Sequence, residues 1–292
     1  METNKHNIVE KLQKETTLRS TVVKVVIEVG LYVILATFDV LLAYNKVDFF
    51  LPFRRGFFCS DLNLMFPYKD LSVKESHVIL ISFLPTTSII FITEILRNGR
   101  RLKKYCYIQL YYRIIGTMMF GFSLCILFVE LTKSCVGSLR PYFFAVCQPN
   151  MTLTNCTDHY ITDYVCRGVD GAAIIDARKS FPSGHAASVW YGVTFLVIYM
   201  HLRIYRRWKR SRAFCPIIQT LAAASALYVG VSRIQDNAHR PVDIFAGATV
   251  GIIFAIITIY SSSVLFTEKR TYTHCAAVNS EEERQFTMEN ET

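Results

Sequence analysis

The sequence predicts an all-α integral membrane protein of six transmembrane helices with both termini cytoplasmic. Three observations lead there. Six windows of about 20 residues are apolar and nearly free of charge, the length that crosses a hydrocarbon core of roughly 30 Å. Basic residues gather in every second loop between those windows, and so on one side of them. Three strongly polar segments lie at span ends, where arginine, histidine and aspartate are costly and invite a functional reading.

The spans fall near residues 22–44, 77–96, 114–132, 186–202, 215–231 and 243–266. Residues 1–20 form a polar cytoplasmic tail, 21–266 the six-span domain, and 267–292 a second cytoplasmic tail, acidic towards its end and expected to be disordered. No cleavable signal peptide is evident, because the first apolar run is long enough to remain a span. That span carries Lys24, Glu28 and Asp39, and the second ends at Glu94. Snorkelling at helix ends and helix–helix contacts account for these four better than catalysis does. Pro85 kinks the second span.

The basic clusters set the orientation. Lys5, Lys11, Lys14 and Arg19 precede span one; Arg97, Arg100, Arg101, Lys103 and Lys104 join spans two and three. Arg203, Arg206, Arg207, Lys209, Arg210 and Arg212 join spans four and five, and Lys269 and Arg270 follow span six. With six spans these clusters share one side, which the positive-inside rule makes cytoplasmic. Segments 45–76, 133–185 and 232–242 then face outside or the lumen. The acceptor tripeptides beginning at Asn150 and Asn155 fall in such a segment and are expected to be glycosylated. Cys59, Cys147, Cys156 and Cys166 share that oxidising side and allow three disulfide pairings. The net charge of +9 sits in juxtamembrane loops, so it argues for a membrane surface and against nucleic acid. No Cys/His spacing reads as a metal site.

The chemistry gathers at three outer segments. Span three leads into Lys133-x6-Arg140-Pro141, where a helix continued to Pro141 places the two cations on one face about 10 Å apart. Span four opens with Pro182-Ser183-Gly184-His185, a helix N-terminus whose free N–H groups suit an anion. Spans five and six flank Ser232-Arg233-x5-His239-x3-Asp243. Each segment alone has an ordinary reading: snorkelling cations, a serine N-cap, a histidine–aspartate cap. Together they supply three cations, two histidines, a carboxylate and a helix N-terminus, the inventory of phosphoryl transfer without a metal. One histidine can attack phosphorus while the other protonates the departing alkoxide. With span six starting near Arg240, Asp243 reaches the His239 imidazole and holds its N–H.

These three segments, in order and spacing, resemble the signature of the type 2 phosphatidic acid phosphatase superfamily. Arg55-Gly56-Phe57-Phe58-Cys59 and Pro67-Tyr68-Lys69 resemble its lipid phosphate phosphatase branch. The resemblance covers roughly residues 20–266. It implies a metal-independent, cofactor-free phosphatase acting on lipid phosphate monoesters: phosphatidate, lysophosphatidate, sphingosine 1-phosphate and ceramide 1-phosphate. It further implies that His239 is the nucleophile forming a phosphohistidine, that Asp243 orients it, and that His185 is the proton donor. Lys133, Arg140, Arg233, Ser183 and Gly184 are implied phosphate ligands. The expected site lies at the extracellular or lumenal ends of helices 3, 4 and 5–6, in the plasma membrane or an endomembrane, and the family implies self-association. Arg240-Pro241-Val242 departs from the aromatic residue expected in this branch, which touches substrate preference. A headgroup or phosphoryl transferase of the same fold, and a non-catalytic membrane scaffold, are the competing readings.

Overall fold

The computed structural model describes residues 22–23, 25–42, 51–98, 104–150, 159–205 and 211–262. Both tails, Lys24, Asn155, Cys156 and most of the basic loop residues lie outside this set. Six helices are long and apolar enough to cross a membrane: α1 (Val25–Leu42), α2 (Glu75–Asn98), α3 (Lys104–Val136), α6 (Gly184–Met200), α7 (Ser211–Gln235) and α8 (Pro241–Ser261). The protein is an integral, multi-pass membrane protein. Between α3 and α6 lie two short helices, α4 (Phe143–Cys147) and α5 (Gly171–Asp176).

The all-α expectation needs one correction. Phe57–Phe58 (β1) and Tyr160–Ile161 (β2) pair antiparallel, joining the first outer segment to the second. The pairing carries an aromatic cluster of Phe57, Phe143, Phe144 and Tyr164, with ring centroids 4.9–6.0 Å apart. A Cys147–Cys166 disulfide closes α4 against the returning chain, and Cys59 is also disulfide-bonded.

Helix α6 is the central post, packed against α2, α3, α7 and α8. Its Tyr191 and Phe195 meet Met118 and Cys125 of α3 and Ala255 and Ile259 of α8 in one apolar core. The Tyr191 hydroxyl donates to the Met118 carbonyl at 2.7 Å, so the polar tip does not go unpaired in that core. Helix α8 approaches α6 closely because Gly247 faces it. A Cβ there would stand 2.3 Å from the Ser183 carbonyl oxygen. By contrast α1 and the outer faces of α7 and α8 expose Ile34, Leu221, Tyr228 and Phe245, as helices facing lipid do.

Two of the charged groups placed inside spans, Glu94 and Asp39, make helix–helix contacts, while Glu28 is exposed. Glu94 of α2 is fully buried, accepts from the Tyr199 hydroxyl at 2.9 Å and lies 3.7 Å from Arg203. Asp39 is buried and bonds Ser123 of α3.

Candidate functional site

Helix α3 stops at Val136, so the expected run of helix to Pro141 is not there. Gly137 breaks it by adopting φ +58°, a conformation without penalty only for glycine, and its N–H bonds the Lys133 carbonyl. A Cβ at Gly137 would also meet the Phe53 carbonyl at 2.1 Å. The chain from Ser138 to Arg140 therefore leaves the helix and bonds residues 177–180. Arg140 N–H donates to the Ala177 carbonyl and Ser180 N–H to the Ser138 carbonyl, at 2.8 and 2.9 Å.

The other two segments join the first by similar bonds. Ser183 caps α6, its hydroxyl accepting from Ala186 N–H, and its own N–H donates to the Asp243 carbonyl at 3.0 Å. Arg240 caps α8 with Pro241 in the first turn and reaches across to the Ser138 hydroxyl at 2.6 Å. Segments more than forty residues apart in sequence thus share one hydrogen-bonded frame.

Within that frame the eight candidate residues come together. Lys133, Arg140 and Arg233 all lie within electrostatic reach of the His185 ring, and Arg140, Lys133 and His185 within reach of His239. The Lys133 ammonium lies beside Gly184, 3.2 Å from where a Cβ would stand. Each cation also lies beside a carboxylate. Glu130 lies 2.5 Å from Lys133, Asp176 2.7 Å from Arg140, and Asp236 2.9 Å from Arg233. Buried charges need such partners. Some polar atoms are left over. Arg140 Nε, Arg233 Nη1 and His185 Nε2 are buried with no hydrogen-bond partner among the described residues. Unpaired buried polar atoms cost about 1–3 kcal/mol each, and an anion bound among them would satisfy them.

The His239 imidazole is not held as expected. Asp243 Oδ2 lies 3.9 Å from Nδ1, too far for a hydrogen bond, while the Ser180 carbonyl oxygen lies at 2.7 Å. Asp243 instead accepts from the Ser180 hydroxyl at 2.7 Å and from Arg240 N–H at 2.9 Å. The carboxylate is drawn to the first turn of its own helix, where unpaired N–H groups attract it. A carbonyl only accepts, so Nδ1 carries the proton and Nε2 of the neutral ring is left with its lone pair. Burial, reinforced by the charges of Arg140 and Lys133, holds the His239 pKa well below its ordinary 6.5, which keeps the ring neutral.

Several members of the site went unassigned in the sequence. Ser180 acts through a main-chain carbonyl, which no residue type announces. Glu130, Asp176 and Asp236 become visible only as partners of the cations. Residues 66–73 form a strap over all three segments. Phe66 N–H bonds the Pro141 carbonyl, the Val73 backbone bonds the His185 ring, and the Ser72 N–H and hydroxyl both bond Asp236. Asn150 is exposed. Among the described residues no group of three or more His, Cys, Asp or Glu could hold a metal ion.

Known proteins resemble this chain in sequence. Mouse (Mus musculus) phospholipid phosphatase 1 is 31% identical over 233 residues, covering 76% of this chain and 79% of that protein. Human (Homo sapiens) phospholipid phosphatase 2 is 31% identical over 233 residues, covering 77% and 78%. No solved structure matches the chain. The sequence model of the PAP2 superfamily matches residues 112–266, a stretch that holds all three polar segments. On this match and these relatives, the chain belongs to the PAP2 superfamily.

Proposed function

We propose that this protein is a phosphatase that hydrolyses lipid phosphate monoesters, with no metal ion, through a phosphohistidine at His239. The observation that carries the reading is the 2.7 Å contact between His239 Nδ1 and the Ser180 carbonyl, from which the tautomer follows. Its Nδ1–H is spent on the Ser180 carbonyl, and Nε2 is unprotonated among Lys133, Arg140 and His185. A neutral, buried imidazole beside several cations suits attack on a phosphate and suits little else.

In the first step the Nε2 lone pair forms a bond to phosphorus, and the bond from phosphorus to the lipid oxygen breaks. His185, which takes up a proton at Nε2 once the phosphate's negative charge is bound beside the ring, delivers it to that oxygen, releasing the lipid alcohol. Lys133, Arg140 and Arg233, with the Ser183 hydroxyl and the Gly184 N–H, take the charge on the equatorial oxygens. In the second step His185 takes a proton from water as the water oxygen attacks phosphorus. Inorganic phosphate leaves and Nε2 regains its lone pair. Asp243 steadies His239 through Ser180 rather than by direct contact.

The phospholipid phosphatase relatives support a lipid substrate, with phosphatidate, lysophosphatidate, sphingosine 1-phosphate and ceramide 1-phosphate as the candidates. The basic loops favour cytoplasmic termini and a site on the extracellular or lumenal face, in the plasma membrane first. Disulfides at Cys59 and at Cys147–Cys166 agree with that side, and Asn150 and Asn155 would carry glycans there. The test is phosphate release from phosphatidate in EDTA by wild type and His239→Ala. Full wild-type turnover and none above background in the variant is expected. Undiminished release by the variant, or a wild-type requirement for Mg2+, overturns the mechanism.

A further inference from the structure

A second knot of buried charge lies directly behind Lys133. Glu130, one turn earlier on α3, holds the Lys133 ammonium through Oε1 at 2.5 Å. Its other oxygen, Oε2, lies 3.3 Å from the ammonium of Lys179. Lys179 in turn donates to the Leu42 carbonyl at the end of α1, at 3.0 Å. All three side chains are at most 11% exposed. One carboxylate is thus shared by two ammonium groups, and the trio carries a net positive charge.

We propose that Glu130 and Lys179 are positioning residues that set the place and the available charge of Lys133 beneath the substrate phosphate. The proposal rests on the phosphatase reading above and adds two residues to it. Glu130 fixes the flexible lysine stem so that its ammonium stays beside the N-terminus of α6, at Gly184. Left alone, a buried carboxylate at that distance would also neutralise the ammonium and pull it off the substrate. Lys179 prevents this by competing for the same carboxylate. In a buried site of low dielectric, where Coulomb terms are large, that sharing decides how much of the Lys133 charge reaches an incoming anion. Lys179 itself cannot move to the substrate, because the Leu42 carbonyl and Glu130 hold it.

The test compares full-length variants in detergent micelles by phosphatidate turnover and by inhibition with vanadate, an anion that takes the place of phosphate. Lys179→Met gives Glu130 wholly to Lys133. KM and the half-inhibiting vanadate concentration are expected to rise about tenfold, the effect of one hydrogen bond to a charged group, with kcat changed less. Lys179→Arg should restore both. Glu130→Gln/Lys179→Met, which frees Lys133 from any ion pair, should return both part of the way. It also keeps the comparison available if the single variant fails to fold. A purely structural role would lower the folded fraction and leave KM and vanadate sensitivity unchanged, and that result overturns the proposal. So does a double variant no better than Lys179→Met. Wild-type protein that releases no phosphate would instead overturn the phosphatase reading. Vanadate protection against thermal unfolding would then still read the pair.

Discussion

Neutralising Asp243 separates two ways of holding the nucleophile. The carboxylate accepts two short hydrogen bonds, from the Ser180 hydroxyl and from Arg240 N–H. Bonds to a charged group are worth about 1.5–3 kcal/mol each and neutral ones about 1 kcal/mol. Asp243→Asn keeps the shape and exchanges two charged bonds for neutral ones, a loss of about 1–4 kcal/mol from the corner that supports His239. His239 keeps its own 2.7 Å bond to the Ser180 carbonyl, so only part of that loss reaches the reacting atom. The expected fall in kcat/KM is about 10- to 100-fold, as each 1.36 kcal/mol is tenfold. Where a carboxylate binds the imidazole directly, as in the serine proteases, neutralising it costs about 10,000-fold. Phosphate release from phosphatidate in micelles measures the difference. Ser180→Ala, which removes the hydroxyl and keeps the carbonyl, should match Asp243→Asn, and the double variant should be no worse than either alone. A loss for Asp243→Asn as deep as that for His239→Ala would refute the indirect arrangement.

Two further expectations concern packing and pH. Gly247→Ala places a Cβ 2.3 Å from the Ser183 carbonyl and should destabilise the folded protein by about 1–3 kcal/mol while spoiling the α6 N-terminus. Gly116→Ala, in α3 with nothing within 4 Å, should leave thermal stability unchanged or slightly raised, which makes it the control for the same assay. Because the His239 pKa is held below 6.5, the native ring stays neutral where the unfolded chain takes up a proton. Its contribution to stability is therefore intact above the unfolded value and falls as pH drops below 6.5, at up to about 1.4 kcal/mol per pH unit. The acid limb of kcat/KM should likewise lie below 6.5. An acid limb centred at 6.5 and traced to His239 would contradict the burial of that ring.

The spans were legible because a bilayer demands long apolar helices, and the six expected windows overlap the six observed helices, with ends differing by up to about six residues. The eight candidate site residues were legible because phosphoryl transfer needs unusual residue types that a membrane otherwise excludes. The break at Gly137 was less so. The helical spacing of Lys133 and Arg140 concealed that a glycine between them turns the chain, and only the nearby Phe53 carbonyl shows why no other residue fits. The β1–β2 pairing was missed because two-residue strands carry no periodicity to read.

By itself, the sequence determined the class of molecule, the number of spans and the residues that gather at the site. The tertiary structure decided what those residues do to one another. His239 and Asp243 sit at the right spacing to bond, yet the bond goes to Ser180, because the carboxylate is claimed by the N–H of Arg240 at the start of its own helix. The three cations are plain in the chain, but their partners Glu130, Asp176 and Asp236 are not. Pairing among buried charges depends on distances of a few ångströms between segments that only the packed helices bring together.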